Sequence, residues 1–356
     1  MTNPITVYPI TARRISVVLL HGALTFTAGA AVAAPLTAQQ TLEQFNLVVL
    51  GSATSQSSVH GRSFIGGALS SVNANFVQRP LPASDYAGLT VLGSVGGGIN
   101  VNGLGGVVIG GSIGSGNSNI NDGGVVFGSA VNVNFNGPGA AWVAGAKSNV
   151  NFNGGQDSSL TTGTAATAAN STNFGTVLTG LSTQLSQLSS TGSSVSISGG
   201  KATFTAVADA NGLAVFDLTA IDTQIFGLNE FAFVGFDSAT TVVLNSDDAN
   251  INIAANFLGG SAQAIGANTI WNFYEASNVN LDRQFGGSIL AVDAFFQNNA
   301  DIEGSVYVSQ ANLKGQLHLF PFSGNVSAVP EPGSIAMMLA GLALVGRVAS
   351  RRRTAA

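Results

Sequence analysis

Val131-Asn132-Val133-Asn134-Phe135-Asn136 alternates apolar and amide side chains over six residues. A strand with this alternation turns valine and phenylalanine to one face and asparagine to the other. Working outward, the stretch is one copy of a repeat. Val91-Leu92-Gly93, Val108-Ile109-Gly110, Val126-Phe127-Gly128 and Val143-Ala144-Gly145 recur at spacings of 17, 18 and 17. Asn100-Val101-Asn102, Asn117-Ser118-Asn119, Asn132-Val133-Asn134 and Asn149-Val150-Asn151 recur alongside at 17, 15 and 17. Val49-Leu50-Gly51 and Phe64-Ile65-Gly66 read as earlier copies. Glycine-rich corners such as residues 103–106 and 123–124 separate the copies. A fixed period with a glycine at each corner is the mark of a stacked-coil architecture.

The expected fold is therefore mainly β: a β-solenoid (β-helix) with coils of about 17–18 residues. Stacked asparagines should hydrogen-bond from coil to coil as a ladder. The pattern breaks at residues 158–190. There Phe174, Leu178, Leu181, Leu185 and Leu188 fall on one helical face, with Ser, Thr and Gln on the other. One amphipathic helix packed alongside the solenoid is expected, covering an open hydrophobic side. Strand patterns resume at residue 195 and run to 320. No compositional linker interrupts residues 34–325, which read as one domain.

The ends differ from the body. Residues 1–33 read as a secretory signal: Arg13 and Arg14, then an apolar run, then Ala31-Val32-Ala33 as a small-x-small cleavage site before Ala34. The general secretory translocon is the expected exporter. Residues 326–356 hold Val329-Pro330-Glu331-Pro332-Gly333, an apolar run, Arg347 and Arg351-Arg352-Arg353. The run would cross the inner membrane as a C-terminal transmembrane helix, with the arginines as a cytoplasmic basic anchor.

Charged residues make up only 8% of the chain, against roughly 25% in ordinary soluble proteins. Half of the 12 basic residues lie in the two end segments. Without those segments six basic residues face 16 acids, a net of −10, which excludes a nucleic-acid partner. The absence of cysteine excludes disulfides and thiolate chemistry. His60 and His318 sit in no metal-ligand spacing, and His318 reads as a strand residue. Asp247-Asp248 and Asp282 are candidates for calcium, but the coils carry asparagine where a calcium repeat needs aspartate. Asp293 and Glu303 are a formal carboxylate pair. No metal, cofactor or catalytic residue is implied, and the chain is not expected to be an enzyme.

Two resemblances follow from these residues. Pro330, Glu331 and Pro332, followed by the apolar run and the arginines, closely resemble the PEP-CTERM sorting signal of Gram-negative bacteria. That resemblance implies processing by an exosortase, transient inner-membrane anchoring, and delivery to the cell surface or extracellular matrix. It also implies an association with extracellular polysaccharide or biofilm. Residues 45–51, 59–67, 270–276, 285–291, 302–304 and 316–322 together look like the choice-of-anchor A domain, a surface module with no established activity. Val292 stands where that family usually has proline. The function expected from all this is structural, at the cell surface. The alternative is a glycan- or ice-binding module using a flat Asn/Ser/Thr-rich face.

Overall fold

The computed structural model describes residues 33–326. Ala31, the Pro-Glu-Pro motif, the four C-terminal arginines and the expected transmembrane helix lie outside these residues. No described helix is long and apolar enough to cross a membrane.

The chain winds into stacked three-sided coils, and 26 short strands form one continuous parallel system. Face A holds Leu47–Val49, Ser63–Ile65, Leu89–Val91, Val107–Ile109, Gly124–Val126 and Ala141–Val143 from the N-terminal half. Face B begins with Ala53–Ser55 and Leu69–Ser71, and face C with Ser58–Val59 and Ala74–Phe76. Each strand pairs with its equivalent one coil away.

The coils are not stacked in chain order. Leu47–Val49 pairs on one side with Ser63–Ile65 and on the other with residues 306–308. The first coil therefore sits in the middle of the stack, against the last. The N-terminal half builds outward from this seam to residue 152. The C-terminal half builds from residue 213 back toward it, through Thr241–Ser246, Thr269–Phe273 and residues 288–291. Within each half, face-A strands start 16 to 28 residues apart, so the uniform coil length expected from the repeat holds only from residue 89 to 143 and across the last coils. The longer C-terminal coils carry short helices and a four-stranded side sheet, whose strands Ser194–Ser198 and Lys201–Thr205 are antiparallel.

Inward side chains fill the coils with Leu, Val, Ile and Phe. Phe204, Phe231, Phe233, Trp271 and Phe285 form a contiguous aromatic cluster in the C-terminal half. Each such side chain removed from water stabilises the stack by about 1.5–3 kcal/mol.

Face A is apolar on its outer side too, because Val48, Phe64, Ile270, Leu290 and Tyr307 point away from the coil interior. Three helices meet this need. They are α1 (Ala38–Gln44), α2 (Thr164–Ala168) and α3 (Phe174–Ser186). Phe174, Leu178, Leu181 and Leu185 of α3 are buried against face A, as their spacing predicts. Asn173 caps α3 by accepting the Thr176 N–H at 3.0 Å. Two buried asparagines fix the helix in place. Asn272 donates to the Ser182 carbonyl (3.0 Å) and to Asn245 Oδ1 (2.8 Å), and Asn245 donates to the Leu185 carbonyl (2.7 Å).

The repeat register differs from the sequence reading in three copies. Ile109, not Val108, is the partner of Val91; Ile65, not Phe64, is that of Val49. Asn119 pairs with Asn100, two residues from the expected match with Asn117. In the first two cases the misread residue is apolar but faces outward, beneath a helix. Apolarity alone no longer tells inside from outside there.

Candidate functional site

Faces B and C are left open. On face C the row Asn75, Asn100, Asn119, Asn134, Asn151 runs straight across five coils. Asn119 donates to Asn100 Oδ1 (3.1 Å), Asn134 to Asn119 (3.2 Å) and Asn151 to Asn134 (2.6 Å). A second row two residues on is bonded in the same way: Asn136 donates to Asn121 and Asn153 to Asn136, both at 3.3 Å. The ladder expected from the sequence is thus present. Each rung spends one N–H and one oxygen lone pair on its neighbours, and keeps one of each for solvent or a ligand. The rows repeat at the coil-to-coil distance of about 4.8 Å. A third line of amides, Asn132 and Asn149, lies at the bend between faces B and C and is bonded at 2.8 Å.

Face B is less regular. Its outward row reads Asn252, Asn280, Gln297, Asn312, then Thr54, Ser70, Gly96, Gly114, Val131 and Ser148. Amide bonds continue through its first part: Gln297 to Asn280 at 3.3 Å and Asn312 to Gln297 at 2.9 Å. The polar surface therefore passes from face C in the N-terminal half to face B in the C-terminal half.

At the seam, face C changes character. His60, from the first coil, lies 4.7 Å from His318, from the last, measured between ring centroids. Glu303 is 2% exposed and accepts from Gln263 (3.1 Å) and Gln284 (2.6 Å). Its second oxygen lies 2.9 Å from His318 Nδ1. The opposite ring nitrogen is 3.9 Å from Asp301. His60 Nε2 lies 3.2 Å from Gln316 Oε1. Burial holds the His60 pKa below the usual histidine value; the Gln316 bond opposes this shift, as does Asp301, while His318 and Arg79 add to it. His318 does lie in a strand, but it is also one partner of a buried carboxylate.

The other sequence candidates stay apart. Asp293 is exposed at the bend between faces A and B, whereas Glu303 is buried on face C, so they form no carboxylate pair. Asp248 accepts the Asn250 N–H before its strand, while Asp282 follows the neighbouring strand and accepts from Asn280 and Asn299. These acids sit at opposite ends of face B. No group of three or more His, Asp or Glu side chains is placed to hold a metal ion among the described residues.

Two of the cavities beside the seam share Arg79. One of about 350 Å³ is lined by His60, Arg79, Glu303 and His318. The other, of about 580 Å³, lies under the loop at residues 77–84 and is lined by Arg62, Arg79 and Asn102 among others. Their shared arginine was not singled out in the sequence. Only the folding of the seam brings it between them.

Residues 38–136 and 121–319 each match the family model described as "Putative Ice-binding-like adhesive domain". The chain belongs to this family. The two matches overlap at 121–136. Residues 328–353 match the PEP-CTERM protein-sorting motif. That segment contains Pro330, Glu331, Pro332, Arg347, Arg351, Arg352 and Arg353. The motif implies export, sorting at the Gram-negative cell envelope and processing by an exosortase. Neither a curated protein nor a solved structure matches the chain.

Proposed function

We propose that the protein is a non-enzymatic adhesin of the bacterial surface or extracellular matrix. In this reading the N-terminal signal is removed after Ala33. The tail holds the chain in the inner membrane until an exosortase acts at Pro330-Glu331-Pro332, and the adhesive body then joins extracellular polysaccharide or biofilm. What supports this most is the pairing, in one chain, of an ice-binding-like adhesive body with a PEP-CTERM tail. The resemblance to the choice-of-anchor A domain supports the same location. The polar rows of faces B and C are the contact surface: flat, uncharged, and rich in amides that recognise hydroxyl groups.

The test is cell fractionation combined with binding to films of the cell's own polysaccharide, with and without residues 328–353. The intact chain should reach the envelope and be retained by the film. Full-length protein accumulating in the cytoplasm would refute the reading.

Ice binding is a second reading. It is favoured by the regular one-coil spacing of Asn100, Asn119, Asn134 and Asn151 on an open flat face. An ice-recrystallisation assay separates it from glycan adhesion: inhibition lost in Asn134→Lys would support it, and an inactive wild-type chain would remove it.

A further inference from the structure

The larger seam cavity is unlike the rest of this protein. The body has only six Lys and Arg side chains against 16 acids. Two of the six, Arg62 and Arg79, line this one cavity, and no Asp or Glu lines it. Asp122, outside the lining, is bonded to it, with its carboxylate turned to the Gly105 N–H at 2.8 Å.

Arg62 is 3% exposed. Its Nε, Nη1 and Nη2 donate to the carbonyls of Tyr86 (3.3 Å), Gln44 (3.1 Å) and Pro82 (3.0 Å). Those carbonyls satisfy hydrogen bonds but supply no formal negative charge, and no carboxylate forms an ion pair with Arg62 among the described residues. Burial lowers its pKa to about 10, which still leaves it charged at neutral pH. A buried charge without a counter-ion favours any anion that can approach it. Arg79 is exposed, and no ion pair occupies its guanidinium among the described residues. It stands free to meet a carboxylate in the bidentate geometry that guanidinium groups favour.

The rest of the lining suits a sugar ring. Gln78 and Asn102 offer amides for hydroxyl groups, while Leu81 and Leu104 offer apolar surface, Leu104 being 66% exposed. Val77, which also lines the cavity, has φ +57°, a conformation β-branched residues rarely adopt. Strain of this kind persists where the surroundings force it, and it concentrates at binding sites.

We infer that this cavity binds an acidic saccharide, with Arg79 holding the carboxylate of a uronate unit and Arg62 supplying the positive field behind it. The saccharide half of the inference rests on the adhesion reading; the carboxylate half rests on the charge of the cavity. The site would give a net-negative adhesin one specific grip on an anionic polymer that the rest of its surface repels.

The experiment titrates the full chain with trigalacturonate, with galactotriose as the neutral control and acetate as the free carboxylate. Trigalacturonate should bind at least tenfold more tightly than galactotriose, and more weakly as salt rises. Arg79→Gln should lower that affinity about tenfold with an unchanged Tm, and Arg79→Lys should recover part of the loss. Equal binding of the acidic and neutral trimers, or an unaltered Arg79→Gln variant, overturns the inference. Acetate competing as well as trigalacturonate per carboxylate overturns its saccharide half. A chain that coats polysaccharide films without preferring trigalacturonate fails here and leaves the adhesion reading standing. A chain that binds trigalacturonate but no film does the reverse.

Discussion

Asparagine does two jobs in this protein, and they depend on where in the coil it sits. Mid-strand it is a rung of a ladder; at the bend between faces B and C it supplies a left-handed backbone. Gly97, Ser115, Asn132 and Asn149 occupy that bend in successive coils, with φ of 85°, 66°, 56° and 53°. Asparagine tolerates this region better than most residues. At Gly97 a Cβ would also strike the Ser71 carbonyl. Asn134→Ala should cost about 1 kcal/mol in a denaturant titration, because it removes one donor and one acceptor from an exposed ladder. Glu303→Gln should cost about 1–3 kcal/mol, since the amide keeps one acceptor oxygen for Gln263 and Gln284 and loses the buried charge and second acceptor beside His318 Nδ1. His60 predicts a pH effect. Its folded pKa lies below its unfolded value of about 6.5, so both states are neutral above that pH. Below it the unfolded chain takes up the proton first, and stability falls as pH drops toward the folded pKa. Thermal melts between pH 7.5 and 5 should show this loss, reduced in His60→Gln. The amide ladder was legible in the sequence because alternation marks it. The histidine–carboxylate cluster was not, because no local pattern joins His60 to residues near position 318.

Among the elements, α3 was the easiest to foresee. Its apolar residues keep helical spacing, and its surroundings do not compete with that signal. Leu181 is 2% exposed beneath it, and Leu181→Ala should destabilise the fold by about 2–5 kcal/mol. Asn173→Ala, which removes the cap, should cost about 1 kcal/mol. A circular-dichroism melt of each variant checks both values. The strands were legible in kind but not always in register. Face A is buried on both sides, so Val107–Ile109 carries three apolar residues in a row, and a run of that kind fits either parity. Faces B and C keep one side in water, and there the alternation fixed the register of Asn134 and Asn151 correctly. The two buried asparagines that hold α3 gave no signal, because a lone asparagine in a strand looks the same whether it faces water or a helix backbone.

For the whole molecule, the coil length of one stretch could be read, but not the order of stacking. A periodic sequence suggests that neighbours in the chain are neighbours in space. Here the repeat stops at the helices and the chain returns from the far end, so its last strands meet its first. A chain ending before residue 306 would leave Leu47–Val49 with one bare edge and remove Tyr307 from beside Val48. It should lose its cooperative unfolding transition and aggregate, which sedimentation velocity would reveal. This return of the chain also bears on mechanics. Tension on the tail does not reach an outer coil that could be peeled away alone. It first breaks the bonds of residues 323–326 to Ala267, Thr241 and Gln39, and then reaches Leu317–His318, a strand clamped between residues 302–303 and 58–59. Extracting it means shearing two ladders at once at the centre of the stack. An adhesin pulled by its anchor would then hold at full length until one abrupt rupture, rather than paying out coil by coil, and single-molecule pulling from residue 326 should record that one high-force event.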